Sequence, residues 1–461
     1  MSSQFMPMNL RDDILAADLK KLFASADVKV LAKAANNLLN IVTQSRLTSS
    51  YFDGFFSSDL LNSINQLIYI DEPSVYVPVL ESLKIILSKP DHDVKYSFCQ
   101  AEGIDTLIWH IETRLKISDY FHRLTDQKKL EMLSNEDVVY IFNQIAIDND
   151  MRHNLVTTNA LTYTTKLILN PVVIEFHEDI QFPRSILTIP LVKHTLFLLR
   201  TMSYSSDPKI RIHMRNCPTL VASLASLAHD LYNTEDYNSK ILELSISVLR
   251  NLSYSLPEEF DPSYNIRMNQ RIVEDTIRSK KKRKDTSASD KSNKFFDIKS
   301  FESNPVSIFW SEELLSTVFN LTKKSSSPII LEASAGIIQN ICSYNWLPAD
   351  ILRKQIIETQ SLCELYPMLC SGINDVVHTT ARCLRNLCLG PDCKDLIAKE
   401  GMQWIISGLH RSLYTTEEFT LKSTVNSSSL FYEEPKSSAK TDAALLALAY
   451  SICKDNLGYS K

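Results

Sequence analysis

Turn-forming residues are scarce in this chain: 8 glycines and 17 prolines are spread over 461 residues. So few turn-formers exclude a fold of many short strands and tight hairpins, and they fit a helix-rich chain. Long hydrophobic runs are missing too. The best apolar stretch, Leu191–Leu199, carries Lys193 and His194, so nothing reads as a membrane span. The start, MSSQFMPMNLRDDILAAD, lacks a basic segment followed by an apolar core and is not a secretory signal. No HExxH, P-loop, GxSxG or GxGxxG occurs, which argues against an enzyme of those classes. The nine cysteines show no zinc-type pairing of CxxC pairs. Cys342, Cys383, Cys388 and Cys453 fall inside helical patterns and read as reduced thiols of a core in a reducing compartment. The formal net charge of −5 is mild, identifies no partner alone and argues against nucleic-acid binding. No metal and no cofactor is expected, and the acidic cluster Glu175, His177, Glu178 and Asp179 reads as solvated charge.

What the chain does contain is one helix, repeated. Pro328–Trp346 reads PIILEASAGIIQNICSYNW, and Pro328 suits a first helical turn because its missing N–H is not needed there. Leu331, Ala335, Ile338 and Cys342 form an apolar stripe at helical spacing. Glu332, Gly336, Gln339 and Ser343 form another face, with Asn340 beside it. Related helices recur as NNLLNIVTQ, ESLKIILS, VYIFNQIAI, LFLLRTMSYS, SVLRNLSYS and ARCLRNLCLG. Aligned on the Asn of LRN they fall at positions 40, 85, 143, 201, 251, 340 and 386. A base period in the low to middle forties, with insertions, predicts an all-α repeat array.

The expected organisation is a leader or cap over 1–26, about seven repeats over 27–412, a Ser/Thr-rich loop over 413–440, and a terminal helix of a partial eighth repeat over 441–461. Gly103 and Gly401 recur in AEGIDTLI and KEGMQWII, where glycine suits the turn between a repeat's short first helix and its second. Asn159-Ala160 and Cys217-Pro218 stand in elsewhere. Arg114–Asp137 reads as a polar insertion and Asn170–Pro190 as a proline-flanked loop. The longest insertion, 257–305, is poor in apolar residues, reads as disordered, and holds the basic run Lys280, Lys281, Lys282, Arg283 and Lys284. That run reads equally as solvated charge or as a functional patch. The functional readings are a nuclear-import signal, an acidic-lipid contact or a dock for a small GTPase.

The LEASAG…QN helix is similar to the repeat-six signature of the delta-catenins. So are the Leu220–Tyr254 string, with Asp236, Tyr237, Ser239 and Lys240 in place, and LRNLCLGPDCKDLIAKEGM. The sequence therefore resembles armadillo-repeat proteins, and among them the delta-catenin family, over roughly 27–412. The basic insertion also falls where that family carries one, although the chain reads as truncated relative to the family. The resemblance implies a right-handed superhelical armadillo solenoid acting as a cytoplasmic adaptor at cell–cell junctions, with nuclear entry as a further implication. Its groove would be basic and would bind the acidic juxtamembrane segment of a classical cadherin tail. A Rho-family GTPase or its regulators would be a further partner. Membrane contact would come only indirectly or through the basic loop. The alternatives are a plakophilin-like desmosomal scaffold and an importin-alpha-like peptide adaptor, the latter disfavoured because regular Trp-Asn pairs are missing. The expected peptide-binding ladder is Lys84, Asn143, Arg200, Arg250, Asn251, Gln339, Asn340, Arg385 and Asn386. Phe142 replaces a family tryptophan, and Ile85 replaces an asparagine. Asparagine suits such a ladder because its amide donates and accepts at once, and arginine grips carboxylates bidentately. The rival reading of each ladder residue is that the repeat stack itself satisfies it.

Overall fold

Most inner helices begin where the sequence offers a side-chain cap or a proline; the one starting at Asn374 has neither, with Ile373 as its N-cap. The computed structural model describes residues 10–44, 55–117, 125–178, 189–260, 301–344, 346–411 and 436–453. The basic run Lys280–Lys284 and most of the Ser/Thr-rich stretch lie outside the described residues. Among the described residues there is helix and turn but no strand, and no helix is long and apolar enough to cross a membrane. The chain divides into two units, 1–223 and 224–461, the division falling within the helix Leu220–Asn233.

In the first unit the inner helices are α1 (Val28–Gln44), α2 (Pro73–Leu87), α3 (Asp126–Ile147) and α4 (Pro190–Ser203), packed consecutively. In the second they are α5 (Lys240–Leu252), α6 (Pro328–Ile341), α7 (Asn374–Leu387) and α8 (Lys436–Cys453), again packed in order. Pro73, Pro190 and Pro328 occupy the first turn of α2, α4 and α6. The Ser239 hydroxyl caps α5 by accepting from Leu242 N–H. The helices are wrapped more fully than one stripe predicts. In α6, Ile330, Ala333, Ile337, Ile338 and Ile341 are all buried while Leu331 is only half-buried, because α5 and α7 pack on either side.

Ahead of the inner helices stand a short and a second helix, such as His92–Gln100 and Gly103–Arg114, or Pro208–Asn216 and Leu220–Asn233. Asp91 and Asp207 cap the short helices. At these junctions the left-handed residue is Glu102 (φ 56°), Asn159 (60°), Thr219 (64°) or Gln360 (55°). Contrary to the sequence expectation, neither Gly103 nor Cys217-Pro218 supplies the turn, whereas Asn159 does. What Gly103 supplies is room: a Cβ there would sit 2.3 Å from Phe98 Cζ.

The short helices also finish the inner helices. The last carbonyls of a helix have no partner of their own, and cations suit that end of the dipole. Lys95 donates to Gln144 O at 3.0 Å and Arg152 to Ala146 O at 2.7 Å, both at the end of α3. Arg211 donates to Ser205 O just past α4. Arg353 donates to Cys342 O and Tyr344 O at 2.7 Å, just past α6.

Two expectations are corrected. Asn170–Pro190 does not begin as a loop: Ala160–Thr164, a π turn over Thr165–Leu169 and Asn170–Glu178 run as one bulged helix. The widened turn lies where the Pro171 ring would otherwise meet the carbonyl four residues back. From Asp126 on, the stretch read as a polar insertion is helix, making α3 22 residues long. At the foot of the long insertion, Phe260 meets Phe301 at 5.7 Å between ring centroids. Phe301, Trp310 and Trp346 then form an edge-to-face cluster at 5.0–5.8 Å.

The Gly103 contact gives a direct test. Alanine is otherwise preferred over glycine in a helix by about 1 kcal/mol. Phe98 is fully buried, however, so Gly103→Ala should destabilise by about 1–3 kcal/mol through overpacking. Urea unfolding should show a lower midpoint at unchanged slope; an equal or raised midpoint would contradict the packing account.

Candidate peptide-binding faces

The exposed faces of the inner helices carry the expected ladder, but the structure puts much of it to internal use. In the first unit Lys84 Nζ lies 2.6 Å from Asp137 Oδ1, with the lysine side chain 42% exposed and the carboxylate 9%. The ammonium is also 5.3 Å from the Tyr140 ring centroid. Tyr140 in turn meets His194 edge-on at 5.3 Å. Glu81 and Glu136 stand in the same field. Burial first, then the Asp137 charge, raises Glu136 from 4.5 to about 7, with Lys84 opposing. Burial likewise raises Glu81 and Asp137, and burial, then Lys84 and Lys193, lowers His194. The expected basic anchor is thus a lysine already held by one carboxylate and flanked by two more.

Asn143 is buried, and its Nδ2 donates to Val139 O at 3.2 Å and His194 O at 2.7 Å. Its amide hydrogens tie α3 to α4 rather than facing a ligand. Phe142, placed on the ligand face from sequence, is fully buried core, because it shares its helix side with Val138 and Ile145. Arg200 on α4 is half-buried, and among the described residues its side chain has no hydrogen bond or ion pair.

In the second unit the signature helix has a clear physical task. Arg250 Nη2 lies 2.6 Å from Glu332 Oε1, and Thr379 Oγ1 donates to the same oxygen at 2.9 Å. One carboxylate oxygen therefore joins α5, α6 and α7. Gly336, one turn after Glu332, makes this possible, since a Cβ there would sit 2.6 Å from Arg250 Nε and 2.9 Å from its Cγ. Arg250, expected to meet an acidic ligand, is neutralised within the stack. Asn340 Nδ2 donates to Arg250 O at 3.1 Å and Ser253 Oγ at 3.0 Å. Asn386 Nδ2 donates to Gln339 O at 2.9 Å. Asn251 is half-buried, and Arg385 is exposed.

Residues that sequence reasoning passed over include Tyr140, His194, Glu332 as an ion-pair partner, and Arg382 on α7. Arg382 stands three residues before Arg385, a spacing that places both on one face. Of the acidic cluster, Glu175 is exposed, and Asp179 lies outside the described residues. His92, Asp148 and Asp150 approach one another, with His92 Nε2 3.8 Å and 4.0 Å from the two carboxylates. Cys217, Cys342, Cys383 and Cys393 are buried free thiols, and burial pushes Cys393 up to about 11.

The carboxylates around Lys84 predict a pH dependence. Glu136 keeps its proton in the folded chain up to about pH 7 but loses it near 4.5 when unfolded. The folded state then binds more protons across that window, so stability should fall as pH rises through it. Glu136→Gln should flatten this part of a stability–pH profile measured by urea unfolding. A variant profile as steep as that of the parent would contradict the assignment.

No protein-family model matches the chain. Mouse plakophilin-4 is 30% identical over 236 residues, covering 48% of this chain and 20% of the relative. Catenin delta-1 of Xenopus laevis is 28% identical over 239 residues, covering 50% and 28%. The juxtamembrane domain-associated catenin of Caenorhabditis elegans is 25% identical over 260 residues, covering 55% and 20%. The matched segment thus spans 20–28% of these relatives' length, and about half of this chain. Among solved structures, a designed armadillo-repeat protein in complex with a (KR)4 peptide superposes with a TM-score of 0.43. It is 11% identical and covers 71% of this chain and 99% of its own. With these relatives and the repeated helix units described above, the chain is an all-α repeat protein similar to the delta-catenins and plakophilins.

Proposed function

We propose that this chain is a junctional armadillo adaptor that holds an acidic, extended segment of a cadherin tail along an inner-helix face. The observation that carries this reading is Arg200, a half-buried guanidinium on α4 with no counter-ion among the described residues. A cation set in a partly desolvated face favours an anionic guest. The similarity to catenins, one of them named for a juxtamembrane domain, supports the choice of guest. Lys84 contributes less than the resemblance implies, because Asp137 already holds it.

The test is a titration of the full chain with a synthetic cadherin juxtamembrane peptide. Arg200→Gln should weaken binding by about 1.5–3 kcal/mol, the range for a hydrogen bond to a charged group. Lys84→Met should change affinity less but lower the unfolding midpoint, since it strands a largely buried Asp137. A wild-type chain that ignores the peptide would sink the cadherin reading and leave the plakophilin-like scaffold in its place.

A further inference from the structure

The geometry points to a second anion site in the second unit: the exposed face of α7, with the start of α8, takes a phosphomonoester carried on an extended peptide segment. Helix α7 buries Val376, Val377, Thr380, Ala381, Cys383, Leu384 and Leu387. Its other face presents Asp375, His378, Arg382 and Arg385, at i, i+3, i+7 and i+10. Thr441 Oγ1 donates to Asn374 O at 3.3 Å, which fastens the start of α8 to the first turn of α7. Lys440 is thereby brought to the same face. Both Arg382 and Lys440 act on His378, whose pKa burial first and then these two cations lower, with Asp375 opposing.

Three permanent cations therefore gather on one surface. Among the described residues, the side chains of Arg382, Arg385 and Lys440 make no ion pair or hydrogen bond. That contrasts with Arg250, which a single carboxylate satisfies. The opposing charges are Asp375, exposed in the first turn of α7, and Asp442, which already has a partner. Arg382 and Arg385 set two guanidinium forks one turn apart, which exceed what one carboxylate needs. They match a phosphomonoester, which carries about −1.5 to −2 charge at pH 7 and three acceptor oxygens. The neighbouring ladder favours a peptide as carrier over a lipid. The Gln339 side-chain amide has no hydrogen bond among the described residues. Asn386 uses its Nδ2 on Gln339 O and leaves its amide oxygen to accept a main-chain N–H.

The test uses the full chain and three labelled Gly/Ser-rich peptides: one with a single phosphoserine, its unphosphorylated twin, and a twin with Glu at that position. Fluorescence anisotropy should show the phosphopeptide bound roughly tenfold or more tighter than either twin, with a strong loss in high salt. The preference should vanish in Arg382→Gln/Arg385→Gln and be partly kept in Arg382→Lys/Arg385→Lys. Both arginines are exposed, so the unfolding midpoints of these variants should match the parent. Arg200→Gln should leave the preference intact, so this site and the cadherin reading can fail separately. Equal affinity for the three peptides, or a preference that survives the glutamine pair, would overturn the site. Co-sedimentation with phosphatidylserine vesicles without any phosphopeptide preference would overturn it in favour of a membrane surface.

Discussion

Within each unit the inner helices are tied to one another by polar groups that cross from one helix to the next, and the polar groups on their exposed faces are what those ties leave over. Glu332 Oε1 is the plainest case, receiving Arg250 from α5 and Thr379 from α7. The asparagine amides do the same through main-chain carbonyls: Asn143 reaches His194 O, Asn340 reaches Arg250 O and Asn386 reaches Gln339 O. A helix packed on most of its circumference cannot leave an amide N–H without an acceptor at small cost. The stack therefore claims these donors first.

This ordering decides which residues can meet a partner. A ladder of conjugate donors and acceptors suggests a groove ready to grip a peptide along its length. Here the amide groups of Asn143, Asn340 and Asn386 and two of the cations, Lys84 and Arg250, are engaged inside the repeats. Among the described residues, Arg200 in the first unit, and Arg382, Arg385 and Lys440 in the second, remain, together with the Gln339 amide and amide oxygens. A few uncompensated cations on otherwise satisfied faces select for negative charge more than for backbone shape. That is the common ground of the cadherin proposal and of the phosphate site.

Most of the architecture was legible in the sequence because the repeat is periodic and its apolar residues fall at helical spacing. The inner helices lie where the aligned Asn positions put them, and Pro73, Pro190 and Pro328 start theirs as a first-turn proline should. The face carrying Glu332, Gly336 and Gln339 was also readable. Its task was not, since Arg250 lies across an 82-residue gap in sequence from Glu332. The same holds for Lys84 and Asp137, 53 residues apart, where a stretch read as a polar insertion turned out to deliver carboxylates to the lysine. The junction turns misled for a local reason. Sequence favours glycine as the left-handed residue, whereas Glu102 takes that conformation and Gly103 is small for the sake of the Phe98 ring. The cations capping the ends of α3, α4 and α6 escaped notice because a carbonyl leaves no mark in sequence.

The central claim is that the polar residues of the signature helix work as ties between repeats. A double-mutant cycle on Arg250 and Glu332 tests it most directly, using Arg250→Met, Glu332→Gln and the pair, each followed by urea unfolding. Residues joined in one network couple by about 0.5–3 kcal/mol. The account predicts a coupling in that range, with the double variant less destabilised than the two single losses added. Strict additivity would contradict it, and would leave Arg250 available on the exposed face of its helix.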